Sequence, residues 1–322
     1  MQPVVLACAA QAVYVVAFVL FRSATTRMPP LTGRRPLRVT LEVLRSPRWT
    51  FGLLLLGAGF ALGDTALLHL PVAASLPAFG IALALLLGIA AGRLGEHPTV
   101  REWGALGLTV AGMAAVSFSM AQGLTSAPSR PGDAEGWQLG LVAAPSLLLP
   151  GWLLCTRDRT LPGRHARPQT GVAYGLGAGV LLGTAEAAGL GFALRLTHHT
   201  GPGIVEAVLL LVAGALGLGL ASVGLQHCRM IVLVTVTTVT AKIHLLVAAT
   251  WLYAEPWPTA PVALATRLAG VLLPAAAVLL FPHHDPRPPR TPRTPHAPRH
   301  GRGGTSAEHP AFVSEHRASV RS

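Results

Sequence analysis

Residues 229–255 read RMIVLVTVTTVTAKIHLLVAATWLYAE: an arginine, a long apolar and β-branched run, a lysine at its middle and a glutamate at its end. The run is too long for a strand. A helix rising about 1.5 Å per residue needs roughly 20 apolar residues to cross the hydrocarbon core of a bilayer, and Met230–Tyr253 supplies them. Working outward, eight more stretches of this kind lie at Val4–Phe21, Trp49–Leu70, Pro71–Gly92, Trp103–Ala121, Trp137–Thr156, Thr170–Leu194, Gly203–Val223 and Val262–Phe281. The expected fold is all-α: a polytopic membrane bundle of about nine transmembrane helices.

Composition agrees. Of 322 residues 51% are hydrophobic and only 12% charged, with a mean hydropathy of +0.53, whereas a soluble domain carries about a quarter charged residues. The pI near 11.3 raises nucleic acid as a partner, but the placement of the bases excludes it. With 22–48 threaded inside, the inner connections hold Arg22, Arg27, Arg34, Arg35, Arg38, Arg45 and Arg48, then Arg93 and Arg101, then Arg157, Arg159, Arg164 and Arg167, then Arg229. The outer ones claim Arg130, Arg195 and, at a span edge, Arg267. This is the positive-inside asymmetry, and it puts the N-terminus outside and the C-terminal tail in the cytoplasm of a bacterial inner (plasma) membrane. All six tryptophans (Trp49, Trp103, Trp137, Trp152, Trp251, Trp257) fall at span ends or in adjoining connections, where amphipathic rings favour the headgroup layer.

Residues 282–322 are rich in Pro, Arg and His and cannot bury enough apolar area to order, so they read as a disordered cytoplasmic tail able to touch anionic lipid. The domain reading is therefore a transmembrane unit over 1–281 and a tail over 282–322. Cys8, Cys155 and Cys228 show no metal or redox spacing and read as apolar filler. The run before Cys8 lacks the basic region of a signal peptide, so the first span reads as retained.

Segment 70–96, LPVAASLPAFGIALALLLGIAAGRLGE, has the length of 229–255 and also ends in glutamate; five positions are identical. The two segments form the third and eighth spans. Five crossings separate them, so the same motif points in opposite directions, with Glu96 inside and Glu255 outside. That is an inverted-topology repeat, about 1–122 against 137–281, of the kind that places a transporter's site at the midplane. Gly175, Gly179 and Gly183 recur every four residues, as do Gly59 with Gly63 and Gly88 with Gly92, a spacing that brings helix backbones close in lipid.

Ionisable groups inside spans are expensive and point to a partner or a watery cavity. Asp64, Glu186, Glu206, Lys242 and His244 are such groups, and Lys242 is the only lysine in the chain. From the inner surface Lys242 lies roughly 18 Å up, Asp64 about 22 Å and Glu186 about 24 Å, so a lysine stem spans the offset. Glu186 extends the Gly175–Gly179–Gly183 face, and Thr235, Thr238 and Lys242 share a face of the eighth span. The candidate pathway is Lys242, Glu186, Asp64, Thr238 and Thr235. A structural ion pair is the alternative for the charges, and a water-exposed carboxylate the alternative for Asp64. Glu206, a turn from the outer surface, is expected to snorkel, and His244 to be satisfied between helices. There is no Walker sequence, GxSxG, His-Glu-x-x-His or paired-cysteine motif, so neither an enzyme, a cofactor nor a resident metal is expected. The partners expected are the lipid bilayer, a small-molecule or ion substrate and a second copy of the chain.

The inverted repeat, the span ending Gly95-Glu96 followed by Trp103-Gly104-Ala105-Leu106-Gly107-Leu108, and the counterpart ending Ala254-Glu255 resemble the drug/metabolite transporter (DMT) superfamily, EamA-like. The nine-span arrangement is similar to its NIPA-like magnesium transporter branch, as are Trp49 opening the second span and the Gly59-Phe60 and Ala66-Leu67 elements. The acidic residue followed by Asn-Phe expected in that branch has no match; Gly63-Asp64-Thr65 stands nearby. The resemblance implies secondary transport, and its NIPA-like part implies Mg²⁺, which wants anionic oxygen ligands and is repelled by a central lysine. A carrier of a small polar metabolite or drug-like solute is thus the first expectation and magnesium transport the second. A non-transporting membrane protein or partner subunit is the third.

Overall fold

The structure, a computed structural model, describes residues 2–28, 45–94, 96, 98–121, 136–157, 171–199, 201–254 and 257–281. These are helical throughout, with no strand among the described residues. The order is α1 (Gln2–Thr25), α2 (Pro47–Leu67), α3 (Val72–Ser75), a 3₁₀ turn (Leu76–Ala78), α4 (Phe79–Leu94), α5 (Val100–Ala121), α6 (Gly136–Arg157), α7 (Val172–His198), α8 (Ile204–His227), α9 (Met230–Leu252) and α10 (Pro261–Leu280). Eight segments are long and apolar enough to cross a membrane, the joined α3–α4 counting as one. The ninth expected span corresponds to α6, whose apolar described part runs from Trp137 to Leu148. The tail over 282–322 lies outside the described residues, as do Glu255 and 29–44.

Helix boundaries follow local chemistry. Pro47 and Pro261 open α2 and α10 at the first turn, where a missing N–H costs nothing. Pro77 interrupts the third span because it has no N–H to continue the ladder, and the chain passes through a 3₁₀ turn before α4. At the start of α5, Thr99 and Glu102 form a capping box: the Thr99 amide donates to Glu102 Oε2 at 2.6 Å and the Glu102 amide to Thr99 Oγ1 at 3.4 Å.

The packing repeats itself. α1 lies along α2 as α7 lies along α8; α1 packs on α4 as α7 packs on α9; α1 crosses α8 as α7 crosses α2. Exchanging α1 with α7, α2 with α8, α3–α4 with α9 and α5 with α10 turns each of these contacts into another. The α5–α10 and α4–α9 pairs map onto themselves. Helix α6 packs on α7 and has no partner in the exchange. This is the arrangement expected of two halves related by a pseudo-two-fold axis.

Glycines make the close contacts. A β-carbon at Gly112 would stand 2.5 Å from Pro274 and 3.1 Å from the Gly270 carbonyl, and one at Gly270 3.0 Å from the Gly112 carbonyl, so α5 and α10 cross backbone to backbone. Gly175, Gly179 and Gly183 all face α9, against Val236, Thr237 with Thr240, and Ala241 with His244. On α2, Gly52 and Gly59 receive the rings of Phe21 and Tyr14. The expected Gly88–Gly92 pair meets nothing within 4 Å and is no packing face.

Helices α7 and α9 are central. Residues of their most apolar windows are 78% and 72% buried, against 28–44% in the other candidate spans. The tryptophans divide: Trp103, Trp137 and Trp251 are exposed, but Trp49 is buried against Phe21 and donates to Ser222 Oγ at 3.3 Å. It is a packing residue between α2 and α8, correcting its reading as a headgroup anchor.

Candidate functional site

The α7–α9 seam carries the buried charge. Gly179 and Gly183 let the two backbones come close, and one turn further along α7 stands Glu186. Lys242 of α9 donates its Nζ to Glu186 Oε1. The Tyr14 hydroxyl of α1 donates to the same oxygen at 3.4 Å, and Nζ lies 5.6 Å from the centre of the Tyr14 ring. Lys242 is 8% exposed and Glu186 6%, so the pair has no bulk water to share. Beside it is a cavity of about 40 Å³ lined by Tyr14, Phe18, Leu56, Phe60, Leu182, Glu186, Thr237, Thr238, Ala241 and Lys242. It holds a few waters at most.

Four of the five residues singled out from sequence come together around this point. Lys242 and Glu186 pair directly, and Thr238 lines the cavity while its hydroxyl donates back to the Val234 carbonyl at 2.8 Å. Asp64 of α2 comes up against α7: a β-carbon at Gly189, three residues beyond Glu186, would stand 2.8 Å from Asp64 Oδ2. Asp64 interacts electrostatically with both Glu186 and Lys242, and its Oδ1 is buried without a hydrogen-bond donor. Thr235 does not line the cavity. It is fully buried with an unpartnered hydroxyl, and Thr237, two residues on, takes the cavity position and is likewise unpartnered.

Sequence reasoning passed over Tyr14 and Gln11. Both lie on one face of α1, three residues apart, and Gln11 Oε1 is buried with no donor. A glutamine and a tyrosine at i, i+3 inside an otherwise apolar span were the available signal. On the other side of the α7–α9 seam, His244 Nε2 lies 3.0 Å from Thr184 Oγ1 and 3.2 Å from Ser146 Oγ of α6. It is satisfied between helices, at the floor of a groove of about 340 Å³ lined mainly by apolar residues of α6, α7 and α9.

Both ends of the second half are pinned. At one, Glu96 accepts from the Met230 and Ile231 amides, each at 3.0 Å, capping α9, and Arg229 bridges to the fully buried Glu102 at 2.6 Å. Arg22 donates to the Cys228 carbonyl at 3.0 Å, and Gln226 to the Thr25 and Met28 carbonyls at 3.2 Å. At the other, Glu206 does not snorkel: it is buried and bridged by Arg195 at 2.6 Å. The Tyr253 hydroxyl donates to the Ala187 carbonyl at 2.6 Å. Arg267, counted with the outer bases at a span edge, is no interfacial charge either. It lies within α10, fully buried, and its Nε donates to Ser119 Oγ at 3.3 Å. It counts for packing rather than for topology.

Among the described residues no three His, Cys, Asp or Glu side chains gather as a metal site. No family model, curated protein or solved structure matches the chain.

Proposed function

We propose that this chain is a secondary transporter of the DMT type that moves a small polar solute across the bacterial plasma membrane, with Glu186 and Lys242 at its binding point. The observation that carries the reading is the pair itself: the one lysine of the chain fastened to a glutamate on the two most buried helices, beside a small cavity. An intramembrane ionisable pair facing a cavity is the usual mark of a solute pathway. Support also comes from the mirrored packing, since two equivalent halves around a midplane site can rock into two equivalent states. The third span breaks at Leu76–Ala78, and Leu76 and Phe79 face Lys242 across a second cavity of about 30 Å³. With so little room, the conformation is an occluded one. The arginine-rich connections belong to the cytoplasmic side in this proposal.

Magnesium transport has less support. Lys242 occupies the Glu186 oxygen that a divalent ion would need, and a hydrated Mg²⁺ demands several oxygen ligands. The test is uptake into proteoliposomes across pools of amino acids, amines, nucleosides, sugars and divalent cations. The paired variant Glu186→Gln/Lys242→Met removes both charges together and spares the fold an unpaired one. Uptake of one pool that is lost in this variant is the expected result. Flux that survives it unchanged removes the pair from the pathway, and no flux for any pool from a folded protein leaves a structural clamp.

A further inference from the structure

We propose that Asp64 is a proton-binding site coupled to the Glu186–Lys242 pair. The argument is one of charge and space. Asp64 of α2 lies against Gly189, three residues along α7 from Glu186, and within electrostatic reach of the Glu186–Lys242 pair, so two carboxylates share one ammonium and the cluster is one positive charge short. Lys242 and Tyr14 both give their hydrogen bonds to Glu186, while Asp64 is half-buried and its inner oxygen, Oδ1, is buried with no donor. An ionised carboxylate away from water needs donors or a counter-ion. A proton on Asp64 supplies the missing charge.

The surroundings select a proton over a larger cation. Gly189 lies against Asp64 Oδ2, leaving no shell for a coordinated metal ion on that side, and Asp64 lines neither of the cavities of about 40 and 30 Å³ that flank Lys242. The groups that face it are few. Helix α1 presents Tyr14, α7 presents Glu186, and α9 with the residue after it presents Lys242 and Tyr253; α3 brings no titratable residue. Lys242 is the only cation in that set. Its ammonium is therefore a partner for which Asp64 and Glu186 compete. When Asp64 loses its proton to water on one side of the membrane, Lys242 is drawn from Glu186 toward it. When Asp64 takes a proton up, Lys242 returns to Glu186. One proton binds or leaves per cycle, and no other reactant is needed.

The link of this exchange to solute movement rests on the carrier reading above; the proton site does not. Infrared spectroscopy of the full chain in lipid vesicles tests it without any substrate. The expected spectrum shows the carbonyl stretch of a protonated carboxylic acid, shifted by D₂O, near neutral pH and absent at high pH. That band vanishes in Asp64→Asn, moves to an altered frequency in Asp64→Glu, and is lost at neutral pH in Glu186→Gln, where Lys242 is released to pair with Asp64. A band missing from the wild type at every pH, or unchanged in Asp64→Asn, overturns the proposal. If Asp64→Asn alone does not fold, the Asp64→Glu variant decides: an unmoved band there is equally fatal. Absence of transport with the band intact would defeat the carrier reading and leave the proton site standing.

Discussion

The two halves of this molecule share a packing plan and differ in chemistry. Helix α4 lies against α1 as α9 lies against α7, and the matched segments 70–96 and 229–255 put Leu83 where Lys242 stands, Leu85 where His244 stands and Ala78 where Thr237 stands. Leu83 and its neighbours line a small cavity on α1 and make an ordinary apolar seam; Lys242 makes a buried ion pair. The interruption is reversed: the first-half segment breaks at Leu76–Ala78, and α9 runs unbroken from Met230 to Leu252. Packing can tolerate exchange of the halves because it depends on small residues and ridges. The proposed pathway needs only one charged cluster, and a second set of buried charges would add desolvation cost without adding a ligand. The fold is shared between halves, and the buried ion pair belongs to one of them.

The sharpest way to break this comparison is to treat the two matched positions alike. Lys242→Met strands Glu186 in the interior with only Tyr14 as donor, and removing one member of a buried pair costs about 3–5 kcal/mol. Leu83→Met, a volume-conserving change at the mirrored position, costs less than about 1.5 kcal/mol. Thermal unfolding in one detergent measures both. Equal losses would mean that the pair contributes no more than an apolar contact, and the asymmetry of the halves would be one of composition alone.

A smaller effect tests the axis. Gly112→Ala drives a β-carbon to 2.5 Å from Pro274 Cδ and 3.1 Å from a backbone carbonyl, and neither neighbour can rotate away. Overpacking of this kind costs about 1–3 kcal/mol. Gly88→Ala, with nothing within 4 Å, is expected to be neutral or slightly stabilising through helix propensity. An unaffected melting temperature in Gly112→Ala would show that α5 and α10 do not cross this closely, and the self-matched contact would be lost.

Much of this was legible in the sequence because lipid imposes so few options. Length, apolarity and arginine placement led to the helices, and the fourfold glycine spacing of α7 pointed to a close neighbour, which proved to be α9. Depth pointed to a pairing of Lys242 with Asp64 or Glu186, both within a lysine stem's reach, and only the packing settles it on Glu186. What sequence missed were contacts that depend on which face a helix turns. Thr235 and Thr237 differ by two residues, roughly 200° of helix rotation, and only the packing decides that Thr237 meets the cavity. Gly88–Gly92 has the same spacing as the α7 glycines yet touches nothing, because spacing names a face and not its partner. Glu206 and Arg267 were judged from depth and span-edge position, and both are buried by neighbours that lie far off in sequence or on the preceding helix. Glu102 was overlooked although Thr99-x-x-Glu102 is a readable capping box.

The finest test sharpens the comparison at the matched glutamates. Glu96 ends the third span and caps the first two amides of the eighth, where its charge also complements the positive end of α9. Exchange of the halves carries Glu96 onto Glu255 and the start of α9 onto the start of α3; Pro71, which matches Met230 in register, has no N–H, so the first amides of α3 are those of Val72 and Ala73. Glu255 itself lies outside the described residues. If the glutamates are equivalent, Glu96→Gln and Glu255→Gln each cost about 0.3–1 kcal/mol. The two losses should then add in the double variant, since equivalent caps belong to opposite ends of the repeat. A Glu255→Gln change with no effect beside a measurable Glu96→Gln loss would confine the cap to one half. The repeat would then be a likeness of helix packing that does not extend to the helix ends. Labelling of single cysteines placed at 96 and 255 supplies the geometric half of the same test, because mirrored caps must react from opposite sides of the membrane.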